Sequence, residues 1–181
     1  MSSDILLHVC CAPDATIPWQ RLIEEGHRVT GFFYGSNIHP YSEFRRRAQD
    51  VETLSRTLGS DRVIGSYEPL RWLEAVREHL LAPEGGERCP LCFRAQLTAA
   101  ANRALSLGIG TLSTTLTISP HKDVALIERI GAEVCWEHCL DWVFRVWRKK
   151  SGFKLSVERS RRLGLYRQRY CGCIMSIRDE G

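Results

Sequence analysis

No stretch of the sequence approaches the roughly 20 consecutive apolar residues that cross a bilayer, so a membrane-embedded protein is not expected. The opening residues Met1-Ser-Ser-Asp4 hold no basic cluster, and the apolar run Ile5 to Val9 is too short for a secretory leader. A cytoplasmic protein is the expectation. No internal repeat, low-complexity tract or long Gly/Ser linker divides the 181 residues, so one domain spanning 1–181 is expected. Of those residues 44% are hydrophobic, enough to bury a core without disulfides.

What the chain has in excess is cysteine, eight in all. In a reducing compartment structural disulfides are disfavoured, and metal ligation or redox chemistry becomes the leading reading. Six of the eight fall in tight pairs: Cys10-Cys11, Cys89-Pro-Leu-Cys92 and Cys171-Gly-Cys173.

Charge is distributed unevenly. The segment Arg145 to Arg169 holds ten Lys or Arg against the single acid Glu158, whereas the remainder of the chain is net acidic. One basic segment on an acidic body suits a polyanion docked in one place. A solvated basic helix accounts for the same charges.

Periodicity predicts strands over Ile5–Val9, Val29–Tyr34, Val63–Ser66 and Thr111–Thr115. It predicts helices from Asp14 to Glu25, Tyr41 to Leu58, Leu70 to Leu81, Cys92 to Leu107 and Pro120 to Ile130, the last stopped by Gly131. Such alternation implies an α/β fold, an open and mostly parallel sheet sandwiched by helices. From about Cys135 the alternation fades, and a helical, basic segment 135–181 is expected to pack back on the sheet.

Cys10 and Cys11 directly follow the first strand, in His8-Val-Cys-Cys-Ala-Pro-Asp14. Neighbouring side chains of a continuing strand point to opposite faces. At a strand end they can share a site, and the expected turn is forced by Pro13. Ligands of open α/β sheets bind outside the carboxyl ends of strands. Cys89-Pro-Leu-Cys92 has a spacing used in zinc, iron–sulfur and dithiol sites, at a helix start where the dipole favours a thiolate. In Cys171-Gly-Cys173 the glycine leaves the backbone free to aim both sulfurs one way, for a metal or for a strained, easily reduced disulfide. Three pairs offer more sulfurs than the four ligands one zinc or one cluster needs. Cys135 and Cys139, four apart in an apolar segment, read as core residues on one helix face. His8 reads equally as a site residue or a satisfied buried histidine, and His39 and His121 are weaker candidates.

At these motifs the sequence resembles the cobalamin-independent epoxyqueuosine reductases of the QueH family. The resemblance is carried by His8-x-Cys-Cys-Ala-Pro, Phe32-Phe-Tyr, Asn37-Ile-His-Pro40 and Cys89-Pro-x-Cys92. It continues through Thr114-Thr-Leu-x-Ile-Ser-Pro120, Lys150-x-Gly-Phe153 and Gly164-Leu-Tyr-Arg-Gln-x-Tyr-Cys-Gly-Cys173. It implies a nucleotide α-hydrolase-like fold of the ATP-pyrophosphatase kind, in which Cys10-Cys-Ala-Pro-Asp14 replaces the usual phosphate loop. It also implies the last step of queuosine synthesis, removal of the epoxide oxygen of epoxyqueuosine at the tRNA wobble position.

Deoxygenation of an epoxide takes two electrons and two protons, and one cluster carries one electron. On this reading Cys10, Cys11, Cys89 and Cys92 hold a 4Fe-4S cluster. Asp14, Cys171 and Cys173 hold a second, mononuclear iron, or the two cysteines cycle as a dithiol and Asp14 acts as general acid. Arg148, Lys149, Lys150, Lys154, Arg167 and Arg169 would bind the anticodon arm of tRNA, with Trp147, Phe153 or Tyr166 stacking on a base. The electron donor stays open. The main alternative is a zinc-stabilised RNA-binding module without catalysis. A tRNA-thiolating enzyme would need a Ser-Gly-Gly-x-Asp-Ser loop that this chain does not have, and a thiol–disulfide oxidoreductase would work without metal.

Overall fold

Ile5, Leu7 and Val9 point to one side of the first strand and Leu6 and His8 to the other, and all five are fully buried. A strand buried on both faces belongs in the middle of a parallel sheet with helices on each side. A computed structural model of the chain describes residues 3–177 and has this arrangement. Strands β1 (Asp4–Val9), β2 (Arg28–Phe33), β3 (Asp61–Ile64), β4 (Thr111–Thr114) and β5 (Asp141–Trp142) form one sheet in the order β3-β2-β1-β4-β5. Every pairing is parallel, with His8 level with Phe32 on one side and Thr114 on the other.

Helices α1 (Ala12–Glu24), α2 (Tyr41–Leu58), α3 (Pro69–Val76), α4 (Arg88–Ser106), α5 (Val124–Glu137) and α6 (Gly152–Arg162) complete the fold. α1 packs on α2 and α6, and α4 on α3 and α5. Two apolar layers result. One holds Ile5, Leu7, Trp19, Phe33, Val51 and Leu54. The other holds Leu6, Phe93, Leu97, Leu112, Ile127 and Val134.

Several elements differ from expectation: α3 ends at Val76 rather than Leu81, α5 starts at Val124, capped by Asp123, rather than at Pro120, and β5 is not among the expected strands. Gly131 does not stop α5, which runs on to Glu137. A Cβ at Gly131 would lie 2.2 Å from the Trp142 ring, so this glycine permits close packing of α5 on β5. Beyond 135 the described residues hold the end of α5, the short strand β5, helix α6 and a 3-10 turn at Ile174–Ser176. The rest is turns and irregular backbone, because Gly164 and the stretch to Cys173 lack helical periodicity.

In this strand order β1 lies between β2 and β4, where successive connections leave for opposite faces. That is the switch point at which open α/β sheets open a crevice at the carboxyl ends of their strands. Cys10 and Cys11 sit there.

Candidate metal centre

The turn after β1 is made at Cys11. This residue is extended (φ −165°) and N-caps α1, and its carbonyl accepts from the Ala15 N–H at 3.2 Å. Pro13 does not force the turn. It lies inside the first turn of α1, where its missing N–H removes no helical bond. One extended residue followed by a helix brings Asp14 back over the two thiols. A ligand atom from each of Cys10, Cys11 and Asp14 lies within 4.8 Å of the other two. The Thr115 hydroxyl accepts from the Cys10 N–H at 3.1 Å and donates to the Cys10 sulfur at 3.2 Å. Gln168 donates to the Cys11 sulfur at 3.0 Å. The adjacent thiols share protons unequally. A hydrogen bond from Cys11 holds Cys10 below the usual thiol range, and burial pushes Cys11 well above it.

Helix α4 begins at Arg88, so Cys89 and Cys92 both lie in its first turns. Arg88 is itself buried and donates to the Leu80 and Ala82 carbonyls, tying the preceding loop to the helix. The Gly85 N–H donates to the Cys89 sulfur at 3.2 Å. Cys92 accepts from the Trp72 indole at 3.2 Å and the Gln96 amide at 3.1 Å. The helix dipole does not keep Cys92 ionised in the metal-free protein. Burial dominates and raises its thiol to about 12, with Cys171 adding to the effect.

The third pair arrives on a strap that crosses the strand ends. Arg47, 2% exposed, donates to the Cys171 carbonyl at 2.9 Å and the Tyr170 carbonyl at 3.2 Å while paired with Glu43 at 2.8 Å. The His39 N–H donates to the Gly172 carbonyl at 2.8 Å, and the Tyr170 hydroxyl donates to the His39 carbonyl. Gly172 has φ +138°, and a Cβ there would press on Arg47 and Ile38. Cys173 is buried against Trp72 and Cys92, and Cys171 is exposed. Cys171 interacts electrostatically with Cys173 and Cys89, and Cys92 with Cys171 and Cys173. The three pairs therefore influence one another at one end of the sheet, all as free thiols, and among the described residues only Cys10, Cys11 and Asp14 form a group of ligand atoms within 4.8 Å of one another.

Sequence reasoning missed Lys122, in the loop before α5. Burial disfavours its charge, but Cys171, Cys10, Asp14 and Cys11 outweigh that cost and raise its pKa. It is a lone lysine in a polar loop, and nothing local in the sequence marks it. His8 is buried beneath the site, with Nδ1 3.0 Å from the Thr114 hydroxyl. Burial, then the charge of Lys122, lowers its pKa to about 3, so the ring is neutral. His8 Nε2 and Gln168 Oε1 are buried polar atoms without a hydrogen-bond partner.

The sequence profile of the epoxyqueuosine reductase QueH family matches residues 5–179. The chain belongs to that family. The epoxyqueuosine reductase QueH of Streptococcus pyogenes serotype M1 is 35% identical over 183 residues, covering 98% of this chain and 71% of the relative. That of Thermotoga maritima is 35% identical over 176 residues, covering 96% and 90%. Among solved structures, the tRNA thiolase NcsA from Methanococcus maripaludis superposes with a TM-score of 0.57 at 11% identity, over 97% of this chain and 60% of that one. This likeness establishes a shared fold, the parallel sheet flanked by helices.

In this QueH family member the donor set suits iron and sulfide. Soft sulfurs dominate, one carboxylate is within reach, and N–H and O–H donors already point at four of the sulfurs. The other candidates are placed differently. Cys135 is buried, but α5 ends at Glu137 and leaves Cys139 exposed at φ +55°, so the two do not share a helix face in the core. His39 lies against Trp72 with ring centroids 5.3 Å apart, and His121 is exposed. Trp147 is 3% exposed and donates to the Thr114 carbonyl at 2.8 Å, so it is core and no stacking surface. Arg148 spends Nη1 on the Ser119 and Lys122 carbonyls, each at 3.0 Å. Arg167 donates to the Ser160 hydroxyl at 3.1 Å. Lys149, Lys150, Lys154 and Arg169 are exposed. No helix among the described residues is long and apolar enough to cross a membrane.

Proposed function

We infer that this protein reduces epoxyqueuosine to queuosine in tRNA, removing the epoxide oxygen at the wobble nucleotide with an iron–sulfur centre held by its paired cysteines. Family membership across residues 5–179 supports the reaction. The observation that supports the metal reading is the trio Cys10, Cys11 and Asp14 at the switch point of the sheet, with ligand atoms within 4.8 Å of one another, and the electrostatic coupling of Cys171 to Cys89 and Cys173 and of Cys92 to Cys171. Cys10, Cys11, Cys89 and Cys92 would hold a 4Fe-4S cluster, with Asp14, Cys171 and Cys173 left for a mononuclear iron. When bound, the metals would supply electrons and a Lewis acid for the epoxide oxygen.

The chain's own residues have other tasks. The Trp72, Gln96 and Gln168 donors orient the sulfurs and offset their negative charge. Lys122 places a cation near the Cys171, Cys10 and Cys11 sulfurs and Asp14. That charge favours the thiolate forms of Cys10 and Cys171 and negative charge developing on a bound substrate. The Asp14 carboxylate accepts from the Cys10 thiol at 3.6 Å, which sets it beside the sulfur as the candidate general acid. The exposed Lys149, Lys150 and Lys154 supply phosphate contacts for the anticodon arm. A cytoplasmic setting, in contact with mature tRNA, fits this work.

The test is anaerobic reconstitution with iron and sulfide, followed by incubation with epoxyqueuosine-containing tRNA and a chemical reductant. Mass analysis of the nucleosides should show a product lighter by one oxygen atom, dependent on sulfide-loaded protein. One zinc per chain, no bound sulfide and unchanged nucleoside would instead favour a structural RNA-binding module.

A further inference from the structure

Within the basic segment Trp147 is buried and the Tyr166 ring is covered by Arg46, but a more exposed ring lies elsewhere, on α2. Tyr41, the first residue of that helix, is 54% exposed. Its inner side is immobilised. The Tyr41 ring stacks on Phe44 with centroids 5.8 Å apart and an interplanar angle of 20°, and lies 5.1 Å from Tyr67. Phe44 in turn stacks on the buried Phe33, and the Tyr67 hydroxyl is fixed by the Ile38 carbonyl at 3.0 Å. A column of rings thus runs from the core to the surface and ends in an open aromatic face.

This face adjoins the metal centre. Tyr41 is two residues beyond His39, whose backbone binds Gly172 between Cys171 and Cys173, and whose ring lies against Trp72, the donor to Cys92. Charge accompanies the ring. Arg45, four residues on and so on the same side of α2, is exposed and makes no ion pair among the described residues. Arg46 lies 3.5 Å over the Tyr166 ring. A rigid ring with an unpaired guanidinium beside it, close to the cysteine strap, matches how single-stranded RNA is held: bases stack on aromatics and cations meet phosphates. A protein partner would be expected to meet a broader apolar patch than one ring flanked by arginines.

We propose that Tyr41 is a stacking platform for an unpaired anticodon-loop base adjacent to the reacting nucleotide, with Arg45 contacting the neighbouring phosphate. This rests on the reading that tRNA is the substrate. The platform sets the register of the loop, so that one nucleotide reaches the cysteines while its neighbour is held outside.

The experiment measures binding of a fluorescent anticodon stem-loop RNA to the metal-loaded full chain, by anisotropy. Tyr41→Ala should weaken binding about ten- to a hundred-fold, the range for losing one base–aromatic stack. Tyr41→Trp should retain it, and Tyr41→Leu, apolar but without a π face, should behave like Tyr41→Ala. A stem-loop made abasic at the nucleotide next to the wobble position should bind wild type and Tyr41→Ala equally weakly. Iron content should be the same in all variants. Wild-type affinity in Tyr41→Ala or in Tyr41→Leu would overturn the platform while leaving the substrate reading intact. Failure of the wild-type protein to bind any stem-loop would overturn both. A Tyr41→Ala protein with normal RNA affinity but slowed reduction by a protein electron donor would assign this face to that donor instead.

Discussion

The Arg47 guanidinium donates to the Cys171 carbonyl at 2.9 Å from a position 124 residues earlier in the chain. The contact fastens the last cysteine pair to α2, and the cation is buried with Glu43 as its partner. Arg47→Met removes the strap's anchor and leaves Glu43 poorly solvated and unpaired. Loss of one partner of a buried pair costs about 3–5 kcal/mol, which urea denaturation will register. Trypsin should also cleave after Arg167 and Arg169 faster, as the strap detaches. Arg47→Lys keeps the charge but not the two-carbonyl fork, so it should recover stability without restoring protease resistance. Equal resistance in all three proteins would mean that the strap is held by other contacts.

Arg148 and its neighbours Lys149 and Lys150 should separate experimentally although they are adjacent in sequence. Arg148 ties the Ser119 and Lys122 carbonyls together, and so holds the loop that carries Lys122 to the thiols. Arg148→Ala should therefore lower thermal stability and iron loading while leaving the salt dependence of RNA binding unchanged. Replacing Lys149 and Lys150 together should do the reverse. On a single strand the slope of log affinity against log salt should fall in magnitude by about 0.7 for each phosphate that the variant no longer neutralises. A flatter slope in Arg148→Ala would return that residue to the RNA-binding set.

The layered fold was legible because its signals are local. Ile5 to Val9 reads as a buried strand from five apolar or neutral residues, and α2 runs from Tyr41 to Leu58 as its periodicity and Gly59 require. Gly131 misled because a glycine chosen for contact with Trp142 looks the same as one that ends a helix. The paired cysteines were visible through spacing, but the groups that surround them were not. Trp72, Gln96 and Gln168 reach the sulfurs only through tertiary packing, and Lys122 has no motif of its own. The basic count of the tail was legible, whereas its division into clamps and free charges depends on where each backbone carbonyl falls.

The order in which the thiols react gives a pH test of the metal-free protein. The thiolate is the reactive form, so a lowered pKa brings reaction to lower pH and a raised one delays it. Cys10 lies below the ordinary thiol range because of Cys11, and Cys92 is raised to about 12 by burial. Brief iodoacetamide pulses across neutral to alkaline pH, read by tandem mass spectrometry, should label Cys10 first and leave Cys92 unmodified throughout. Thr115→Val removes a donor to the Cys10 sulfur and should shift Cys10 labelling to higher pH. Labelling of Cys92 near neutral pH in folded protein would contradict the burial on which this order depends.

The indole N–H of Trp72 is aimed at the Cys92 sulfur at 3.2 Å, and the Gln96 amide reaches the same atom from the helix side. Hydrogen bonds to a ligating sulfur stabilise the more negative, reduced state of a cluster and so raise its potential. Trp72→Phe keeps a ring beside His39 and Val76 but deletes the donor, and Gln96→Leu deletes the other. Each should shift the midpoint potential of the reconstituted protein to more negative values, at unchanged iron and sulfide content, and the double variant should shift it further. Spectroelectrochemical titration measures this directly. Potentials that match wild type in both single variants would mean that Cys92 is not a ligand of the redox-active metal, and the sulfurs would then have to be reassigned among Cys10, Cys11, Cys89, Cys171 and Cys173.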